Sequence, residues 1–208
     1  MPATTGSRQE FPILVSSAGR RVELMSLLRE DAKRLGLQPR IVATDTNPMV
    51  APACLAADVS YVVPPTSDKW FIASLVDICR KEGVRLLIPT IDAELQPLAR
   101  DRAALVEQGV LLNISNLASL VVAHDKAKTA CVLSRAGIVV PRTASTREVI
   151  AEPSSWKWPV IVKPTSGSSS IGVSQARSVS ELEMLEKQRD LVADFPLHIE
   201  QGHDLHSG

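Results

Sequence analysis

The feature that most constrains this chain is an alternation. In its first half, short apolar runs take turns with longer stretches of helical periodicity. The runs are Phe11 to Val15, Arg40 to Thr44, Val59 to Val63, Arg85 to Ile88 and Val110 to Asn113, each of strand length. Between them, Leu24, Leu28, Ala32 and Leu35 recur at helical spacing, as do Ile72, Leu75, Val76 and Cys79, and then Leu95, Leu98, Ala99 and Leu105. Gly36, Gly83 and Gly109 follow these patterns as stop signals. Strand and helix in alternation predict a doubly wound parallel sheet, with ligands expected at the carboxyl ends of its strands. Apolar residues make up 45% of the chain and are mostly Val, Leu, Ile and Ala, as strands buried on both faces require.

After Asn113 the pattern changes. Helices are expected over Ser115 to Val122 and Asp125 to Ala136, ending at Gly137 and Pro141. From Trp158 the chain turns to a strand (Pro159 to Lys163), a Ser/Gly loop (Thr165 to Gly172), a second strand and a helix. Ser180 and Glu183 are spaced as a capping box for that helix, and Val179 with Met184 as a hydrophobic staple. A last extended stretch is expected at Leu197 to Gln201. The expected organisation is one domain over 1–114, a helical connector over 115–140 and a further lobe over 141–208.

Composition excludes several classes of function. Lys plus Arg and Asp plus Glu balance at 23 each and aromatics are 3%, so there is no electrostatic footprint for nucleic acid. Cys54, Cys79 and Cys131 are far apart and follow no CxxC spacing, which argues against a disulfide framework or a zinc site. No apolar run reaches the roughly 18 residues of a membrane span, and the start MPATTGSRQE has no signal-peptide core. A soluble cytoplasmic protein is expected.

The segment VIVKPTSGSSSIGV, residues 160–173, is the most informative for chemistry. A strand delivers Lys163, and a run of small residues then leaves backbone N–H groups free to surround one ligand. Gly and Ser permit close approach to a polyphosphate and Lys supplies a point charge. The loop is not of the Walker A type, because the lysine precedes it. The plain alternative is a hairpin tip with an exposed lysine.

This segment resembles the phosphate-covering loop of the ATP-grasp superfamily, in which a strand-borne lysine precedes a Gly/Ser-rich flap. Other stretches agree in order. His124-Asp125-Lys126, followed by GIVVP at 137–141, is similar to that family's DK...GIPxP stretch. VSSAGRR at 15–21, ATDTNP at 43–48, VVPP at 62–65 and IPTIDAEL at 88–95 are similar to the Rossmann-like pre-ATP-grasp domain of carbamoyl-phosphate-synthase-like proteins. The resemblance implies a Rossmann-like sheet, a helical connector and an incomplete α+β ATP-grasp lobe. It also implies an ATP-dependent ligase, in which a carboxylate is phosphorylated and a nucleophile attacks the acyl phosphate.

On this resemblance Lys126 and Lys163 would neutralise the α and β phosphates. Ser166, Gly167, Ser168, Ser169, Ser170 and Gly172 would form the covering loop, and Glu200 would stand near adenine and ribose. No residue is singled out as catalytic. Mg2+ is expected for the family, with its acidic ligands in a lobe beyond this chain, so the 208 residues by themselves are expected to turn over no ATP at an appreciable rate. The expected partners are a small-molecule carboxylate and a nucleophile, with no nucleic acid or membrane. A homo-oligomer, or a partner supplying the missing lobe, is left open.

Three further features have competing readings. Ser17-Ala18-Gly19-Arg20-Arg21-Val22 stands where a dinucleotide fingerprint would, but Ser and Val occupy the first and third glycine positions of GxGxxG. Asp45 could hold a ribose there. Arg20 and Arg21 could instead contact an acyl substrate. Asp92 and Glu94 could line the same crevice or simply favour a helix dipole. His198, His203, Asp204 and His206 match no standard zinc spacing. Two alternatives to the ligase therefore stand: a non-catalytic nucleotide- or metabolite-binding module, and a nucleotide-cofactor oxidoreductase using the first domain alone.

Overall fold

A computed structural model of the chain describes residues 9–167, 171–190 and 197–201. The chain divides after Leu117 into two compact units. The first contains β1 (Glu10–Ser16), α1 (Val22–Arg34), β2 (Gln38–Asp45), α2 (Pro52–Ala56), β3 (Val59–Val62), α3 (Phe71–Glu82), β4 (Leu86–Pro89), α4 (Asp92–Arg100), α5 (Arg102–Val106) and β5 (Leu111–Leu112). Its five strands are all parallel, in the order β3-β2-β1-β4-β5. Strand order reverses at β1, which pairs Ile13 with Ile41 on one side and with Leu86 on the other. The doubly wound parallel sheet expected from the alternation is therefore present.

Because successive strand residues face opposite ways, the apolar runs feed two cores. Leu14, Val42 and Leu87 pack with Phe71 and Leu75 of α3, Leu98 of α4 and Leu105 of α5. Ile13, Val15, Ile41 and Ala43 pack on the other face with Met25 of α1 and with Ala53 and Cys54 of α2. Each fully buried large side chain contributes about 1.5–3 kcal/mol, so this sheet rests on both helical layers. α3 stops at Gly83, whose φ of +62° in the left-handed region closes the helix as the stop signal predicts.

The second unit contains nearly all of α6 (Leu117–His124), then α7 (Lys126–Arg135), β6 (Thr143–Ser145), α8 (Thr146–Ala151), β7 (Val160–Pro164), β8 (Ser174–Ala176), α9 (Val179–Asp190) and β9 (Leu197–Gln201). Its strands form an antiparallel sheet in the order β6-β9-β7-β8. Val160, Val162, Ala176 and Ile199 face a core completed by Val149, Trp156 and Leu182. Ile161 and Lys163 alternate out of that core and are half-buried. The extended stretch expected at Leu197 to Gln201 is β9.

The start of α9 differs from expectation. The cap is Ser178, two residues before the expected Ser180: the Glu181 N–H donates to Ser178 Oγ at 3.3 Å, and the Glu181 carboxylate accepts the Arg177 N–H at 2.8 Å. In this frame Leu182 is fully buried and Met184 is exposed, so the Val179–Met184 staple does not form. Burial of Leu182 selects one of two overlapping Ser-x-x-Glu frames.

Candidate functional site

In the second unit, Asp125 caps α7 by accepting the Lys128 N–H at 3.0 Å. Burial works to raise the Asp125 pKa, but the Lys128 amide and ammonium outweigh it and hold the carboxyl below the ordinary carboxylate range. Lys126, the first residue of α7, is fixed against the Ser/Gly loop twice. Its backbone N–H donates to the Thr165 carbonyl at 2.8 Å, and its Nζ donates to the Gly167 carbonyl at 3.0 Å. Thr165 follows Lys163 by two residues, so the start of α7 abuts the end of β7.

Gly167 has φ +114° and Gly172 has φ +75°, both in the region that favours glycine. No atom of the described residues lies within 4 Å of where a Cβ on Gly167 would project, which leaves room among them for a ligand to approach the backbone. Ser166 is half-buried. Ser168, Ser169 and Ser170 lie outside the described residues. Glu200 lies in β9, paired with Ile161 on one side and Thr143 on the other. Beside Lys126 is a cleft of about 250 Å3, bounded by Ala123, Thr129, Leu133, Val140 and Pro141.

A lysine held against the mouth of a Gly/Ser loop, with open space on the glycine, suits a polyphosphate such as that of ATP. A divalent metal is not supported in the same way. Among the described residues no group of three or more His, Cys, Asp or Glu side chains could hold one, and His203, Asp204 and His206 lie outside them. Burial pushes the Cys79 thiol up to about 12 and, with some help from Asp45, the Cys54 thiol up to about 11, which keeps both protonated.

A second polar cluster lies in the first unit, at the carboxyl end of β1. Ser17 there has φ +47°, unusual for a residue with a side chain and costing about 1–2 kcal/mol. Glu94 of α4, fully buried, accepts Ser16 Oγ–H at 2.9 Å, Ser17 Oγ–H at 2.6 Å and the Thr90 N–H at 3.2 Å. Thr90 Oγ1 donates to the carbonyls of Ser16 and Ser17. Burial raises the Glu94 pKa, against the hydrogen bonds from Ser17 and Ser16 that lower it. Glu94 is therefore more than a dipole-favourable residue in a first turn.

Asp45 holds the same turn from β2. Its carboxylate accepts the N–H groups of Gly19 and Asn47, each at 3.1 Å. It is thus occupied by the protein's own loop, which weakens its reading as a ribose ligand. Arg20 and Arg21 follow this turn and are exposed. Among the described residues no helix is long and apolar enough to cross a membrane.

Comparison with known proteins agrees with this architecture. Residues 13–113 match the family described as "PylC-like, N-terminal domain". No curated protein matches the chain by sequence. Among solved structures, the chain is similar to the biotin carboxylase domain of 2-oxoglutarate carboxylase from Hydrogenobacter thermophilus, determined with MgADP, ADP and bicarbonate. The TM-score is 0.69 at 19% identity, covering 95% of this chain and 45% of that one. It is similar to N5-carboxyaminoimidazole ribonucleotide synthetase from Thermotoga maritima (TM-score 0.65, 20% identity, 94% and 47% covered). It is also similar to an L-amino acid ligase from Bacillus licheniformis (TM-score 0.62, 17% identity, 95% and 45% covered).

Residues 13–113 are thus similar to that N-terminal domain, and the chain shares its fold with these three enzymes, as its motifs suggested. It spans just under half the length of each of these structures.

Proposed function

We propose that this chain is the nucleotide-binding part of an ATP-dependent carboxylate–amine ligase working through an acyl phosphate. The observation that carries this is the double attachment of Lys126 to the Thr165–Gly167 segment just after Lys163. It brings the start of α7, with Lys126, to the segment that follows Lys163 at the end of β7, an inner strand of the antiparallel sheet. In this reading Lys126 and Lys163 hold the phosphates, the loop from Ser166 to Gly172 covers them and Glu200 serves the nucleoside. ATP, when bound, supplies the phosphoryl group that activates the carboxylate.

The protein's own contribution is positional. Fixed cations and amides neutralise the phosphates without having to reorganise at the moment of reaction. Arg20 and Arg21 serve as contacts for an anionic substrate on the first unit. In sequence terms we assign 1–114 to the pre-ATP-grasp domain, 115–140 to the connector and 141–208 to the first lobe of the ATP-grasp domain. The substrates are a small-molecule carboxylate and a nucleophile. No step is assigned to Mg2+; among the described residues no group of three or more His, Cys, Asp or Glu side chains could hold a metal ion.

A nucleotide panel tests this reading against the oxidoreductase alternative. Thermal-shift titration with ATP, ADP and NAD should show saturable stabilisation by ATP or ADP and none by NAD. Stabilisation by NAD alone would overturn the proposal.

A further inference from the structure

Glu94 stands out because its hydrogen bonds serve a distant segment. Its carboxylate bonds residues 77 and 78 positions away, the hydroxyls of Ser17 and Ser16, while Thr90 just before α4 bonds the carbonyls of the same two serines. These bonds tie the end of β1 to the segment that opens α4, and the Thr90 N–H on Glu94 braces that segment from within. All of this converges on Ser17, the one non-glycine residue with positive φ among the described residues. A residue held in that conformation needs its surroundings to over-determine it.

The turn that follows has its own reporters. The Gly19 N–H is bonded to Asp45, and the Gly19 carbonyl accepts the Ala53 N–H at 3.0 Å. Both bonds require the chain to leave β1 in the direction that Ser17 sets. Arg20 and Arg21 come next.

We propose that Glu94 is a positioning residue: through Ser16 and Ser17 its carboxylate locks the β1–α1 turn and thereby sets where Arg20 and Arg21 are presented to an anionic substrate. The part concerning the arginines rests on their assignment as substrate contacts under Proposed function; the locking of the turn does not.

Hydrogen exchange on the full chain tests the lock. In Glu94→Gln the Gly19 and Ala53 amides should exchange roughly tenfold or more faster, while Leu14 and Leu87 amides in the sheet stay unchanged. Adding Ser17→Gly, which removes the conformational strain, should restore much of that protection; adding Ser16→Ala should not. Ser17→Ala in the parent chain should loosen the same two amides more mildly, and it decides the matter if Glu94→Gln fails to fold. Unchanged exchange at Gly19 and Ala53, or a uniform loss across the sheet with no rescue by Ser17→Gly, would overturn the proposal.

A second arm titrates inorganic phosphate and acetate while following the Arg20 and Arg21 Nε–H signals. A saturable response in the parent that weakens in Glu94→Gln supports the presentation of the arginines. A parent that does not respond refutes the arginine assignment, and the lock is then upheld or refuted by the exchange of Gly19 and Ala53 alone. A response equal in parent and variant refutes positioning of the arginines by Glu94.

Discussion

A carboxylate buried as completely as Glu94 makes stability depend on pH, and the sign follows from its raised pKa. The folded state holds the Glu94 proton to higher pH than the unfolded state does. Its contribution is therefore full below the ordinary glutamate range and is lost as pH rises through the raised value. Urea midpoints of the parent should fall across that window, and Glu94→Gln should flatten this part of the profile. An identical slope in the variant would show that another group is responsible. Glu148 has the opposite sign: the Ser145 hydroxyl and amide hold its carboxyl below the ordinary range, so its contribution is present at neutral pH and lost as pH falls through the lowered value. Ser145 and Glu148 form a reciprocal capping box at the start of α8. Ser145→Ala should cost about 1 kcal/mol of stability in the second unit, measured by chemical denaturation.

At the scale of elements, the start of α9 gives a direct contrast. Ser178→Ala removes the acceptor of the Glu181 amide and should destabilise by about 0.5–1 kcal/mol, whereas Ser180→Ala, inside the first turn, should stay within about 0.5 kcal/mol of the parent. Equal effects would mean that the helix frays past both serines. The same helix shows where local sequence stops being decisive. Ser178-x-x-Glu181 and Ser180-x-x-Glu183 are equally good frames, and only the depth of Leu182 in the core separates them. The parallel strands were legible to within a residue or two because each is a short apolar run, buried on both faces in the central β1 and β2. β5 is the shortest: it pairs only Leu111 and Leu112 with β4, although Val110 is also buried. Lys126 and the glycines of the loop were legible through local motifs. The role of Glu94 was not, because its serine partners lie 77 and 78 residues away and nothing near it in sequence announces them.

At the scale of the whole molecule, the two units hold different features: a parallel sheet whose polar cluster lies at its carboxyl end, and an antiparallel sheet bearing Lys163, followed by the Gly/Ser loop against which Lys126 of α7 is fixed. The proposed function depends most on the second of these binding ATP through its phosphates. Isothermal titration calorimetry of ATP into the parent chain and into Lys163→Ala tests that dependence without requiring turnover. Loss of one charge-assisted phosphate contact typically costs about 1.5–3 kcal/mol, so affinity should fall roughly ten- to a hundred-fold in the variant. Circular dichroism of the variant should match the parent, since Lys163 alternates out of the core in β7. ATP binding with that loss is the predicted result; binding of equal strength in parent and variant, or no ATP binding by the parent at all, would contradict the proposed function.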